Sequence, residues 1–137
     1  MSEVFSGGCL CGAVRYECQA SPLFSTHCQC SDCRKTSATG HSSKLAVPRS
    51  AVKISGELKF YESQGESGNV VRRGFCPRCG CSIYAESSGF PEMGFISASS
   101  LDDPSIFQPS MVIFAASAPS WDYTDPQLPK FDKMPQM

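Results

Sequence analysis

The sequence predicts a mainly β fold, and three features carry that expectation. Short segments alternate apolar and polar residues with a period of two, as half-buried strands do. With 11 Gly and 10 Pro among 137 residues, turn signals recur often enough to cut the chain into such segments. Helical periodicity is confined to two brief stretches.

The first strand is expected over residues 13–18, where Val14, Tyr16 and Cys18 share one parity and Arg15 and Glu17 the other. Further strands are expected over 44–47, ending before Pro48, and over 52–54, 58–61, 69–75, 82–86, 94–98 and 111–115. Ser-Gly, Gly-Glu-Ser-Gly-Asn and Pro-containing turns separate them. Residues 31–39 predict a turn or two of helix, and 101–107 another with Asp102 and Asp103 near its start. The stretch 121–137 carries Pro126, Pro129 and Pro135 and is expected to wrap the surface in extended form. Trp121 is expected to pack on the core. Neither a repeat nor a linker divides residues 1–137, so one domain is expected.

Charge and targeting signals narrow the classes of partner. Twelve basic against thirteen acidic residues give a net charge of −1, which supplies no electrostatic footprint for nucleic acid or an anionic membrane. The start lacks a basic stretch followed by an apolar one, and no apolar run approaches the roughly 20 residues that span a bilayer. A cytoplasmic protein acting on small molecules is the expectation.

Cysteine is the outlier. Nine is an odd count, and eight of the nine cluster, which suits metal better than disulfides. Cys76-Pro77-Arg78-Cys79-Gly80 is a knuckle whose tight turn aims two thiolates at one point. Cys9-Leu10-Cys11-Gly12 supplies two more, because residues two apart in extended backbone project to one side. Gly12 and Gly80 free the turns for positive φ. Together Cys9, Cys11, Cys76 and Cys79 make a tetrathiolate zinc site pinning the first strand to the middle of the chain; a dithiol redox switch is the weaker reading.

Cys28-Gln29-Cys30-Ser31-Asp32-Cys33 differs, because three thiolates fall within six residues without a fourth beside them. Three protein ligands and an open position is how catalytic zinc is built, and the fourth ligand would be water or a substrate thiol. Arg34 and Lys35 follow directly and are candidates to offset the thiolate charge and position substrate carboxylates, or else are a solvated basic pair. A closed second site is the competing arrangement, with Cys81, His27 or His41 as fourth ligand. Of these Cys81 is the strongest candidate, although a free thiol is favoured; His27 and His41 read as ordinary histidines. Cys18 reads as a small buried hydrophobe.

The order of motifs resembles a known family. Gly7-Gly8-Cys9-Leu10-Cys11-Gly12-Ala13-Val14-Arg15-Tyr16 comes first, then Cys28-x-Cys30-Ser31-x-Cys33-Arg34-Lys35, then Phe75-Cys76-x-x-Cys79-Gly80. Leu101-Asp102-Asp103-Pro104 and Ala118-Pro119-x-Trp121 complete the series. From Gly7 to about Phe131 the chain is similar to the glutathione-dependent formaldehyde-activating enzymes, a family that includes the centromere-protein-V-like proteins. The resemblance implies a β-tent fold, with sheets meeting around a structural zinc on Cys9, Cys11, Cys76 and Cys79, and a second zinc on Cys28, Cys30 and Cys33. It implies carbon–sulfur lyase chemistry that joins glutathione and formaldehyde, or separates them. Two positions depart from the family pattern: Gln29 stands where many relatives have His, and Cys81 where Ser or Thr is usual.

Two classes of function follow. In the first, the zinc of Cys28, Cys30 and Cys33 takes a glutathione-like thiol and holds it beside a small aldehyde. In the second, the chain is a non-catalytic zinc-stabilised β-tent binding module, with closed metal sites and an exposed apolar patch. A redox sensor ranks last, because it needs oxidation of cysteines assigned to metal.

Overall fold

A computed structural model describes residues 4–135; residues 1–3, 136 and 137, including the end of the proline-bearing tail, lie outside it. The fold is mainly β, with two sheets and a single α-helix among the described residues. Strands β1 (Phe5–Gly8), β2 (Arg15–Cys18) and β5 (Val52–Ser55) form an antiparallel sheet in the order β1-β2-β5. The larger sheet contains β3 (Phe24–Cys28), β4 (Ser42–Pro48), β6 (Lys59–Gln64), β7 (Val70–Phe75), β8 (Ser82–Ser87), β9 (Met93–Ser97) and β10 (Met111–Ile113). Its order is β10-β3-β4-β9-β8-β7-β6, antiparallel except where β10 runs parallel to β3. Helix α1 (Ser31–Ser37) links β3 to β4.

All eight strands expected from alternation are present, with boundaries moved by one to three residues. Strands β1 and β3 are additions to that set. Gly7 and Gly8 make half of β1, and glycine carries no strand signal. In β3 the residues Ser25 and Thr26 are consecutive and both buried, so the polar-out rhythm is missing. Of the second helical expectation only the single 3-10 turn Pro104–Ile106 forms, capped by the Asp103 carboxylate, which accepts from Ser105 N–H at 3.0 Å.

The core lies between the sheets. Phe5, Val14, Tyr16 and Cys18 from one side meet Leu45, Val47, Ile83 and Ile96 from the other, all nearly or fully buried. Alternation along β4 assigns Leu45 and Val47 to this core and turns Ser42 and Lys44 to the opposite face. That opposite face, with α1 beside it, carries the cleft next to the triad. The tail runs along β10: Val112 N–H donates to Pro129 O and Phe131 N–H to Val112 O, both at 2.9 Å. Trp121 is 62% exposed, contrary to expectation, because its neighbour Asp122 is the residue that turns inward.

The segment after β9 is fastened to the small sheet by polar contacts. Asp102 accepts from Arg15 Nη1 at 2.9 Å and from Ser6 Oγ at 2.8 Å, and the Tyr16 and Ser100 hydroxyls lie 2.8 Å apart. The Arg15 guanidinium, helped by Ser6, holds the Asp102 carboxyl down to about 2. Because the folded state lowers this pKa, the contact's stability is complete above about pH 4 and disappears as pH falls through about 2. By NMR titration Asp102 is expected to show a midpoint near 2 in the parent and an ordinary carboxylate midpoint in Arg15→Gln. An ordinary midpoint in both proteins would show that the pair does not persist in solution.

Candidate metal and thiol site

The two knuckles project from loops that join neighbouring strands, β1 to β2 in the small sheet and β7 to β8 in the large one, and they meet at the edge of the core. Cys9, Cys11, Cys76 and Cys79 place all four sulfurs within 4.8 Å of one another. The Cys9–Cys11 and Cys11–Cys76 sulfur separations are both 3.7 Å. Sulfurs bonded at about 2.3 Å to a tetrahedral zinc stand about 3.8 Å apart, so the spacing fits that ion. Backbone donors complete the cradle: Val14 N–H reaches Cys9 Sγ at 3.3 Å and Arg78 N–H reaches Cys76 Sγ at 3.4 Å. Backbone N–H groups of Cys11 and Cys81 bring the Cys79 thiol down to about 5, as suits a metal thiolate. Gly12 and Gly80 both adopt positive φ, +82° and +79°, as the turns require.

Cys81 belongs to neither group of converging sulfurs. Its sulfur accepts from Leu10 N–H at 3.3 Å, tying one knuckle to the other. A serine hydroxyl would accept the same bond. Cys18 is fully buried in the core.

The triad arises from a strand–turn–helix. Cys28 ends β3, Cys30 is the N-cap of α1, and Cys33 lies in its first turn. Cys30 Sγ accepts from Cys33 N–H at 3.3 Å, and Gln29 N–H donates to Ile113 O at 3.0 Å. These bonds bring the three sulfurs within 4.8 Å of one another, and no fourth His, Cys, Asp or Glu joins them among the described residues. Hydrogen bonding from Cys28 and Cys30 lowers the Cys33 thiol, while hydrogen bonding with Cys30 and Cys33 pushes Cys28 up. Three such thiols ionise together only with a cation between them. Both cysteine clusters can therefore bind zinc.

Beside the triad lies a cavity of about 430 Å³. Its wall holds Ser42, 3% exposed, whose Oγ makes no well-formed hydrogen bond among the described residues and acts on the neighbouring Cys33 thiol, helping to lower it. A polar atom so placed is suited to a ligand entering beside Cys33. Lys44 shares this wall and donates from Nζ to Ser97 Oγ at 3.1 Å. Burial pushes its ammonium down, against the attraction of Cys33 and Cys28. A broader groove of about 1000 Å³ begins on the far side of Ser42 and Lys44 and reaches the knuckle residues Cys9 and Cys81.

The basic pair following the triad is placed differently from the cations of the cavity. Arg34 Nη1 donates to Ser117 O at 2.9 Å and Lys35 is exposed; neither borders the cavity, whereas Lys44 and Arg73 do. The sequence signal for Lys44 and Arg73 is weak but present: each is a cation inside an expected strand, on the parity that faces away from the core. His27 and His41 stand apart from both cysteine groups. His27 Nδ1 lies 2.9 Å from Ser43 Oγ. His41 Nδ1 lies 2.8 Å from the Asp122 carboxylate, which also accepts from Gln29 Nε2 at 2.9 Å. Asp122, its side chain 7% exposed, thereby fixes the residue between Cys28 and Cys30 from a point in the tail. Burial raises its pKa, but the bonds from Gln29 and His41 outweigh that and leave it low.

Comparison with known proteins agrees with this geometry. The family described as glutathione-dependent formaldehyde-activating enzyme matches residues 4–117, most of the chain. A crystal structure of a Rhodobacter sphaeroides protein from structural genomics superposes with a TM-score of 0.58 at 23% identity, covering 71% of this chain and 87% of that one. At that identity the likeness speaks for the fold. No curated protein matches the sequence significantly.

Proposed function

The chain belongs to the glutathione-dependent formaldehyde-activating enzyme family, and on that footing we propose that it is a carbon–sulfur lyase-type enzyme with two zinc sites. Its substrates would be glutathione, or a similar thiol, and formaldehyde or another small aldehyde. The observation that carries this reading is the convergence of Cys28, Cys30 and Cys33, without a fourth protein ligand among the described residues, on the wall of a cavity. Cys9, Cys11, Cys76 and Cys79 would hold a structural ion, and Cys28, Cys30 and Cys33 a second. Zinc bound there would supply Lewis acidity that lowers the pKa of an exogenous thiol.

The reaction is balanced without a redox partner. The thiol gives up its S–H proton to the surroundings, its sulfur forms a bond to the aldehyde carbon, the carbonyl π pair moves to oxygen, and that oxygen takes a proton in return; the reverse separates the adduct. Lys44 Nζ and Ser42 Oγ are proton-bearing atoms on the wall beside the sulfurs and can meet the developing alkoxide. Lys44 also offsets the charge of a zinc held by three thiolates. Asp122 acts at a distance, by holding Gln29 and hence the turn that aims Cys28 and Cys30. None of the nine cysteines is in a disulfide, which suits the reducing cytoplasm, and no helix among the described residues is long and apolar enough to cross a membrane.

The test is exchange NMR on glutathione and formaldehyde in equilibrium with S-hydroxymethylglutathione. The zinc-loaded parent is expected to speed interconversion at least tenfold over the spontaneous rate. Interconversion at the spontaneous rate would remove the enzymatic reading.

A further inference from the structure

The wall of the triad cavity has a composition that formaldehyde does not need. Phe24, Phe90, Phe95, Phe114, Val71 and Ile113 all border it. A space of about 430 Å³ lies in the range of drug-sized ligands and far exceeds a two-heavy-atom aldehyde. Side chains of this kind offer nothing to the peptide groups of a polar ligand, and although Thr26, Asn69 and Ser87 also border the cavity, its accessible lining is mainly apolar.

Two cations interrupt that surface. Lys44 and Arg73 project from β4 and β7 on the same face of the sheet, and neither has a carboxylate within ion-pair distance among the described residues. Among the described residues Arg73 Nη1 donates only to the neutral Ser63 Oγ, at 3.0 Å. The acidic residues of the cavity are committed or peripheral. Glu86 is held by Arg49 at 2.8 Å and Arg72 at 3.2 Å, Glu66 pairs with Lys133, and Asp32 sits in the first turn of α1. Lys44, a compact ammonium, donates to Ser97 Oγ at 3.1 Å, whereas the Arg73 guanidinium is the planar fork suited to a carboxylate.

We infer that Arg73 binds the carboxylate of a substrate whose remainder is an apolar, aryl-sized group lodged against the phenylalanines. This rests on the proposed thiol–aldehyde chemistry for its place in the reaction, but the cavity's preference for an aromatic monocarboxylate is a property of the wall itself. An arginine fork matches a carboxylate bidentately, and in a cavity partly shielded from water such a charge-assisted pair is stronger than a neutral hydrogen bond. The carboxylate is carried by either the thiol or the aldehyde. Pairing 4-formylbenzoate with glutathione, against formaldehyde with 3-phenyl-2-sulfanylpropanoate, identifies the carrier by which exchange reaction the protein accelerates more.

Calorimetry on the zinc-loaded protein, with sulfur-free probes, tests the inference independently of thiol chemistry. 3-Phenylpropanoate is expected to bind at least tenfold more tightly than neutral 3-phenylpropan-1-ol. Arg73→Gln should erase that preference while retaining the alcohol's affinity, and Val71→Asp should weaken both probes. Equal affinity for acid and alcohol in the parent, or a preference that survives Arg73→Gln, would overturn the assignment. If the preference depends on Arg73 but no thiol exchange is accelerated, the carboxylate site stands and the lyase reading fails.

Discussion

A Cys76→Ser chain is expected to lose one zinc per molecule and at least about 3 kcal/mol of stability, which for a domain of this size is a large fraction of the total. The effect follows from position. Cys76 is fully buried, its sulfur lies 3.7 Å from that of Cys11, and the two knuckles are the point where the small sheet is clamped to the large one. Serine is a weak zinc ligand and leaves three thiolates around an incomplete site whose cradle of N–H donors is shaped for sulfur. Elemental analysis of protein purified without chelator, with a thermal melt, measures both quantities. Parent-like zinc content and melting temperature in the variant would take the structural role away from this site.

Cys30→Ser is expected to have the opposite profile, with the second zinc lost and the fold kept. Serine is among the best N-cap residues, and its hydroxyl replaces Cys30 Sγ as acceptor for the Cys33 N–H, so α1 survives the change. What disappears is one of the three converging sulfurs. Glutathione affinity is expected to fall at least a hundredfold and thiol–aldehyde exchange to return to the spontaneous rate, while the melting temperature stays within a few degrees of the parent's. Calorimetric titration with glutathione reads the first effect; unchanged affinity in the variant would place thiol binding elsewhere.

The contrast between the two clusters is legible in the amino-acid sequence, because metal-ligand spacing is local. Cys76-x-x-Cys79 and Cys9-x-Cys11 each bring two sulfurs together through one turn, and the glycine after each pair marks its geometry. Alternation likewise exposes the strands that keep one face wet. It fails at β3, where Ser25 and Thr26 are both buried, and so the sequence conceals that Cys28 ends a strand inside the large sheet.

The cavity is less legible still. A lysine or arginine in an alternating strand ordinarily faces solvent, and Lys44 and Arg73 obey the alternation while facing a partly shielded cleft bordered by α1 and the chain after β10. Adjacency in sequence points instead to Arg34 and Lys35, which follow the triad directly but stand outside the cavity. Asp122 is hidden by separation, since its partners His41 and Gln29 lie 81 and 93 residues away. Its inward turn also explains why Trp121, an obvious core residue by composition, faces outward.

Our proposal places the uptake of an external thiol at the triad and not at the knuckle site. Replacing zinc by cobalt gives both sites a visible spectrum that responds to the number of sulfur ligands. Titrating the cobalt-substituted parent with glutathione is expected to raise the sulfur-to-cobalt charge-transfer absorption saturably, to the extent of one thiol per chain, and Cys30→Ser should show no such rise. A parent spectrum indifferent to thiol, or an equal response in both proteins, would contradict this assignment.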